Sequence, residues 1–164
     1  MGCSSLVPSS LVALRGLSPL EADPEGFVVG LDLPDEVRVV PGSARLTLRA
    51  DRTDIAEERA GSFVLQESVS EGASFYRVAP EDLEALRTLQ SEINAWETVA
   101  PDATSGSLSV SLTTCREVAD VPDDATVSVD LQLDVGGPFV PLLRDAPLTA
   151  ILDAAALDQL APCS

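Results

Sequence analysis

Apolar residues recur at every second position through much of this chain, and that period commits it to extended strands. Phe27, Val29, Leu31 and Leu33 share one face, with Gly30 and Asp32 on the other. Ala44, Leu46, Leu48 and Ala50 point one way, and Arg45, Thr47, Arg49 and Asp51 point the opposite way. Leu108, Val110 and Leu112 alternate with Ser107, Ser109 and Ser111. Val127, Val129, Leu131, Leu133 and Val135 alternate with Ser128, Asp130, Gln132 and Asp134. Each of these reads as a strand with one buried face. Weaker strand patterns occur at Leu11–Leu14, Val37–Val39, Phe63–Val69 and Phe75–Val78.

Turn chemistry separates the strands. Pro34-Asp35 and Pro41-Gly42 end extended segments. Gly136-Gly137 suits a tight hairpin, because glycine tolerates positive φ. Phe139-Val140 then returns as a partner strand, and Pro138 and Pro141 assign that strand to a sheet edge. Residues 51–60 read as a charged connection or a single helical turn.

One segment breaks the period. Leu83, Leu86, Leu89 or Gln90, Ile93 and Trp96 recur at spacings of three and four. Pro80, Glu81 and Asp82 suit a first helical turn, and Pro101 sets the limit at the other end. The spacing predicts a helix over 80–98 with one apolar stripe, on which Trp96 is a packing residue. The Ala-rich stretch from Leu148 to Leu160 predicts a short C-terminal helix.

These signals predict a mainly β fold. The expected form is an antiparallel β-sandwich of immunoglobulin-like type, with the helix inserted near 80–98. An α+β domain built on a single sheet is the alternative. Residues 1–10, with Pro8 and four serines, read as an N-terminal tether, and 11–164 as a single β-rich domain. Apolar residues make up 45% of the chain, which supports a packed core. No stretch reaches the roughly 20 apolar residues that span a bilayer.

Charge and composition exclude several functions. Asp and Glu number 27 against 10 basic residues, for a net charge of −17. All the basic residues are Arg. Such a surface repels phosphate backbones, so nucleic acid is not an expected partner. It repels anionic headgroups as well, so electrostatics alone does not hold it to a membrane. There is no His, which removes the commonest general base near neutral pH and the commonest zinc ligand. Phosphate loops, dinucleotide fingerprints and zinc spacings are missing too. No catalytic residue, metal ligand or cofactor is therefore expected.

The carboxylates offer three candidates, each with a plainer explanation. Asp51, Asp54, Glu57 and Glu58 are dense, but Arg52 and Arg59 sit among them as on a neutralised, solvated face. Asp123-Asp124 follows Pro122, as in a turn. Glu67 and Glu71 would need a defined separation in a cleft to act as a glycosidase pair, and aromatic residues for sugar stacking are only 4%.

The opening residues Met1-Gly2-Cys3-Ser4-Ser5 resemble the cleavage end of a bacterial lipoprotein signal, the lipobox. The resemblance covers residues 2–5. It implies a lipid on Cys3, anchorage on the periplasmic side of the envelope and, from Ser4, sorting to the outer membrane. The reading frame is then expected to continue upstream of Met1 into a basic and apolar signal. The start also resembles that of myristoylated and palmitoylated kinases, but Leu6 stands where that pattern prefers Ser or Thr.

With Cys3 lipidated, Cys115 and Cys163 remain to form a disulfide, as suits an oxidising compartment. Two reduced, buried thiols are the alternative. Cys115 has the parity of the serines, so a bridge is expected to draw the C-terminal segment across the small-residue face of the 107–115 strand.

Three functions are compatible with these features. The first is a non-enzymatic, lipid-anchored module that binds or scaffolds an envelope protein. The second is a carrier or chaperone for an apolar envelope ligand. The third is a carboxylate- or Ca²⁺-dependent cell-wall hydrolase, which requires clustered, inward-facing acids.

Overall fold

The computed structural model describes residues 20–152 and 157–164. The expected tether, Cys3 and the strand at Leu11–Leu14 lie outside the described residues. The strands are β1 (Val28–Asp32), β2 (Val37–Val39), β3 (Arg45–Arg52), β4 (Glu57–Ser70) and β5 (Ala73–Val78). Helix α1 (Leu83–Val99) comes next, followed by β6 (Thr104–Ser111), β7 (Thr114–Arg116), β8 (Thr126–Gln132) and β9 (Val140–Pro147). The fold is mainly β and antiparallel, with one main helix.

Seven strands form one sheet in the order β6-β3-β4-β5-β1-β8-β9, curled as a half-barrel. Strands β2 and β7 pair separately as a small ribbon. The expected sandwich divides its strands between two sheets. Here β4 joins what would be the two layers, so the single-sheet alternative describes the hydrogen bonding. Residues 57–64 of β4 pair with β3, and residues 65–70 pair with β5. The handover comes at two adjacent residues. The Leu65 amide donates to the Ala44 carbonyl at 3.0 Å, and the Ala79 amide donates to the Val64 carbonyl at 2.9 Å.

The start of the helix completes this junction. A regular ladder would give the Val64 amide to the Ala79 carbonyl. That carbonyl instead accepts from the Asp82 amide at 2.9 Å, as Pro80–Asp82 winds into a 3-10 turn. The Asp82 carboxylate takes its place, accepting from the Val64 amide at 2.7 Å. Helix α1 then buries Leu86, Leu89, Gln90 and Ile93, the stripe expected from spacing, and ends at Val99 before Pro101. The Gln90 side-chain amide donates to the Ala22 carbonyl at 2.9 Å, which ties the entering chain to the helix.

The charged stretch 51–60 is neither loop nor helix. It is a β-hairpin: Arg52 pairs with Glu57 and Asp51 with Glu58. Its inward positions carry Glu57, Arg59 and Gly61, so no apolar alternation announced it. The β4–β5 hairpin closes through Glu71 and Gly72, both at positive φ (53° and 85°), the two-residue turn that matches strand twist.

Strand β1 is buried on both faces. Phe27, Val29 and Leu31 join the main core, while Val28 and Gly30 face outward and are still buried. Their neighbours on that face are Gln132 of β8, paired with Val28, and Phe75 of β5, paired with Gly30. Gln132 donates to the Gly137 carbonyl at 2.6 Å, and the Phe139 ring lies 5.7 Å from that of Phe75. Strand β9 is the edge strand that Pro138 and Pro141 foretold. Of the expected C-terminal helix, Leu148–Ala150 form a 3-10 turn and Leu157-Asp158 a helical turn; residues 153–156 lie outside the described set.

Two substitutions test this architecture by urea denaturation. A Cβ at Gly26 would overlap the Leu133 carbonyl oxygen and lie 2.7 Å from the Val135 nitrogen, both backbone atoms that cannot rotate away. Gly26→Ala is expected to lower stability by about 1–3 kcal/mol or more. Asp82→Ala strands the part-buried Val64 amide and is expected to lower it by about 1–3 kcal/mol. Unchanged midpoints would contradict both assignments.

Candidate functional site

Cys115 and Cys163 come together as expected. Their sulfurs lie at bonding distance, 2.02 Å, and their Cα atoms are 5.0 Å apart. The path of the tail differs from expectation. The 107–115 segment is not one strand: β6 ends at Ser111, and Cys115 belongs to β7, which pairs with β2. The tail therefore runs along the edge of that ribbon and does not cross the serine face. Arg116 pairs with Pro162 in a parallel bridge, its amide donating to Ala161 and its carbonyl accepting from Cys163, each at 2.9 Å. The Arg116 guanidinium donates to the carbonyls of Leu160 (2.8 Å), Val118 (3.1 Å) and Ala119 (2.7 Å). Nothing in the linear pattern marks Arg116 for this part, because its acceptors are backbone carbonyls.

The carboxylates are dispersed, and several of the described ones pair with arginine. Arg49 bridges Asp51 (3.2 Å) and Glu58 (2.6 Å), Arg52 holds Asp54 (3.0 Å), and Arg59 holds Glu57 (3.2 Å). Arg87 spans Asp23 (3.0 Å) and Glu25 (2.8 Å). Most of these groups are exposed, where an ion pair contributes about 0–1 kcal/mol. Their effect is to neutralise part of the acidic surface.

Among the described residues two carboxyls are perturbed, both downward. The Glu25 backbone amide and then Arg87 hold Asp23 below the usual carboxylate range. Arg52 does the same for Asp54. A general acid needs the opposite shift. Glu67 accepts from the hydroxyls of Ser74 (2.8 Å) and Tyr76 (3.0 Å), and burial together with that carboxylate pushes the Tyr76 phenol up. Glu71 lies in the hairpin turn. Among the described residues no three His, Cys, Asp or Glu side chains converge as metal ligands. Trp96 is half-buried on the helix stripe, with the Arg59 guanidinium 4.9 Å from its ring centre.

The feature with binding potential lies along the seam between the two edges of the half-barrel. On its concave side the core side chains leave a small apolar recess of about 30 Å³. All ten lining residues are apolar; Leu108 and Val110 come from β6, Leu142 from β9, and Leu46 and Leu131 from the strands between. A second recess shares Val29, Val110 and Val129 with it and continues to Leu112, Ile151 and Leu152. Strand β6 borders both. Among the described residues no strand pairs with its outer edge. From Ala103 to Cys115 every residue is uncharged, a signal visible in the sequence whose meaning depends on β6 lying at the edge. No family model, curated protein or solved structure matches the chain.

The tie between tail and ribbon is open to measurement. Closing a loop of 48 positions is worth about 4 kcal/mol in the chain-entropy model. Cys163→Ser is expected to lower stability by about 2–4 kcal/mol under non-reducing conditions. Peptide mapping without reductant should recover Cys115 joined to Cys163; finding both alkylatable would refute the pairing.

Proposed function

We propose that this chain is a non-enzymatic binding module of the bacterial envelope. It is anchored by a lipid on Cys3 to the periplasmic side of the outer membrane, and it contacts another envelope protein. The observation that carries the reading is the seam: a strand edge that, among the described residues, has neither partner nor charge and borders a small apolar recess, on a chain without His. An open, uncharged strand edge is a ready template for another strand. The Cys115–Cys163 pair at bonding distance supports an oxidising compartment. Both halves of the sheet line one recess, which supports reading them as the layers of an immunoglobulin-like sandwich joined through β4.

A second reading, that of a carrier for an apolar envelope ligand, draws on the wholly apolar lining and requires the two sheet edges to part, since the recess holds only about 30 Å³. A fluorescent fatty acid separates the two: saturable one-to-one binding within the recess supports the carrier. The hydrolase reading finds less support, since the described acids are mostly outward-facing and many are paired with arginine.

The anchor has its own test. In native protein from bacterial membranes, mass spectrometry of the N-terminal peptide should show diacylglycerol on Cys3. Cys3→Ala should release the protein to the soluble fraction. An unmodified Cys3, with stop codons directly upstream of Met1, would remove the anchor from this account. Cell-wall hydrolysis abolished by one Asp or Glu substitution that leaves the fold intact would remove the non-enzymatic reading.

A further inference from the structure

We propose that β6 is the acceptor for an extended segment of a partner protein, which adds to the sheet as an eighth strand and closes the seam of the half-barrel. The inference rests on the reading of the chain as a binding module and names what it binds.

The hydrogen-bond ladder shows which groups await a partner. Thr53 donates to the Ala103 carbonyl at 2.9 Å, one rung of the β3–β6 register. Antiparallel ladders bond at every second pair, so Ser105, Ser107, Ser109 and Ser111 exchange hydrogen bonds with β3. The amides and carbonyls of Thr104, Gly106, Leu108 and Val110 consequently point to the open edge. The same even positions send their side chains to the concave side, where Leu108 and Val110 border the recess. A strand laid along this edge would satisfy the waiting backbone groups and put every second side chain over the recess.

The opposite edge is defended. Strand β9 contains Pro141 and Pro147, and its register with β8 shifts twice. Prolines and bulges of this kind block strand addition. Strand β6 has no proline, no charge and regular pairing over its eight residues.

Charge selects the occupant. The chain carries −17, so a second copy approaching along β6 would meet a like-charged body. A segment with apolar residues at alternate positions and cationic ends meets both the recess and the field. Its other side chains would lie beside Ser107 and Ser109, small enough to admit most residues.

The test uses the full chain and a synthetic peptide of the same length as β6, eight residues, alternating Val and Thr with an Arg added at each end. Hydrogen exchange should show the amides of Gly106, Leu108 and Val110 gaining protection with peptide, while those of Ser107 and Ser109 are protected already. Replacing the terminal Arg by Glu should weaken binding about tenfold at low salt. Gly106→Pro removes an edge amide and spares the β3 ladder; it should weaken binding by up to about tenfold. The same peptide with N-methyl groups on its pairing edge tests the point without altering the protein, and should not bind.

Several results would overturn the proposal. One is an equal affinity for the N-methylated peptide, and another is binding without protection at β6. Protection in the free chain that rises with protein concentration would assign the edge to a second copy. Protection in the free chain that is lost when residues 1–19 are removed would assign it to the chain's own N-terminal segment. If β6 fails while an envelope protein still binds elsewhere with Cys3 lipidated, the binding module stands and the strand-addition site does not.

Discussion

Two adjacent residues of β4 carry the architecture. At Val64 and Leu65 the strand gives up β3 on one side and takes up β5 on the other. A strand offset in this way leaves a backbone amide without its ladder partner just where the sheet turns. The Asp82 carboxylate accepts from that amide and so stands in for a missing carbonyl. The bend, the start of α1 and the curl of the sheet are therefore one event. The helix fits against the inner face of β4 because Gly61 leaves room there; a Cβ at that position would lie 2.9 Å from a Leu89 methyl.

Curling the sheet buries a large apolar face without a second sheet, but it leaves two edges to manage. One is β9, with its prolines and irregular register. The other is β6, regularly paired on one side, uncharged and next to the apolar lining. Proteins commonly guard such an edge with charge, proline or a bulge, because an unguarded one is a template for another strand. A chain that places 27 acidic residues elsewhere and none along this edge has a surface suited to binding.

The small ribbon shows how the chain secures its end. The segment after β6 leaves the main sheet to pair with β2, and the C-terminal segment aligns beside β7. Backbone bonds, the Arg116 guanidinium and the Cys115–Cys163 contact all act on the same few residues. The sulfur contact thus reinforces a strand already held by hydrogen bonds.

Local chemistry was enough for the period-two strands, the helical stripe from Leu86 to Ile93, the edge character of β9 and the pairing of the two later cysteines. The first three depend on spacing or on turn residues within a short window; the cysteine pairing followed by elimination once Cys3 was set aside for a lipid. The β3–β4 hairpin escaped that reading because Glu57, Arg59 and Gly61 occupy inward positions without being apolar. The burial of Val28 escaped it because β1 lies in the sheet interior between β5 and β8, a position set by strand order and not by neighbours in sequence. Whether the strands made two sheets or one was decided by the offset of β4 between β3 and β5, a register set by contacts far apart in the chain. The uncharged run from Ala103 to Cys115 was plain in the sequence. Only the strand order made it an open edge beside an apolar recess, because an edge is a property of the assembled sheet and not of any strand.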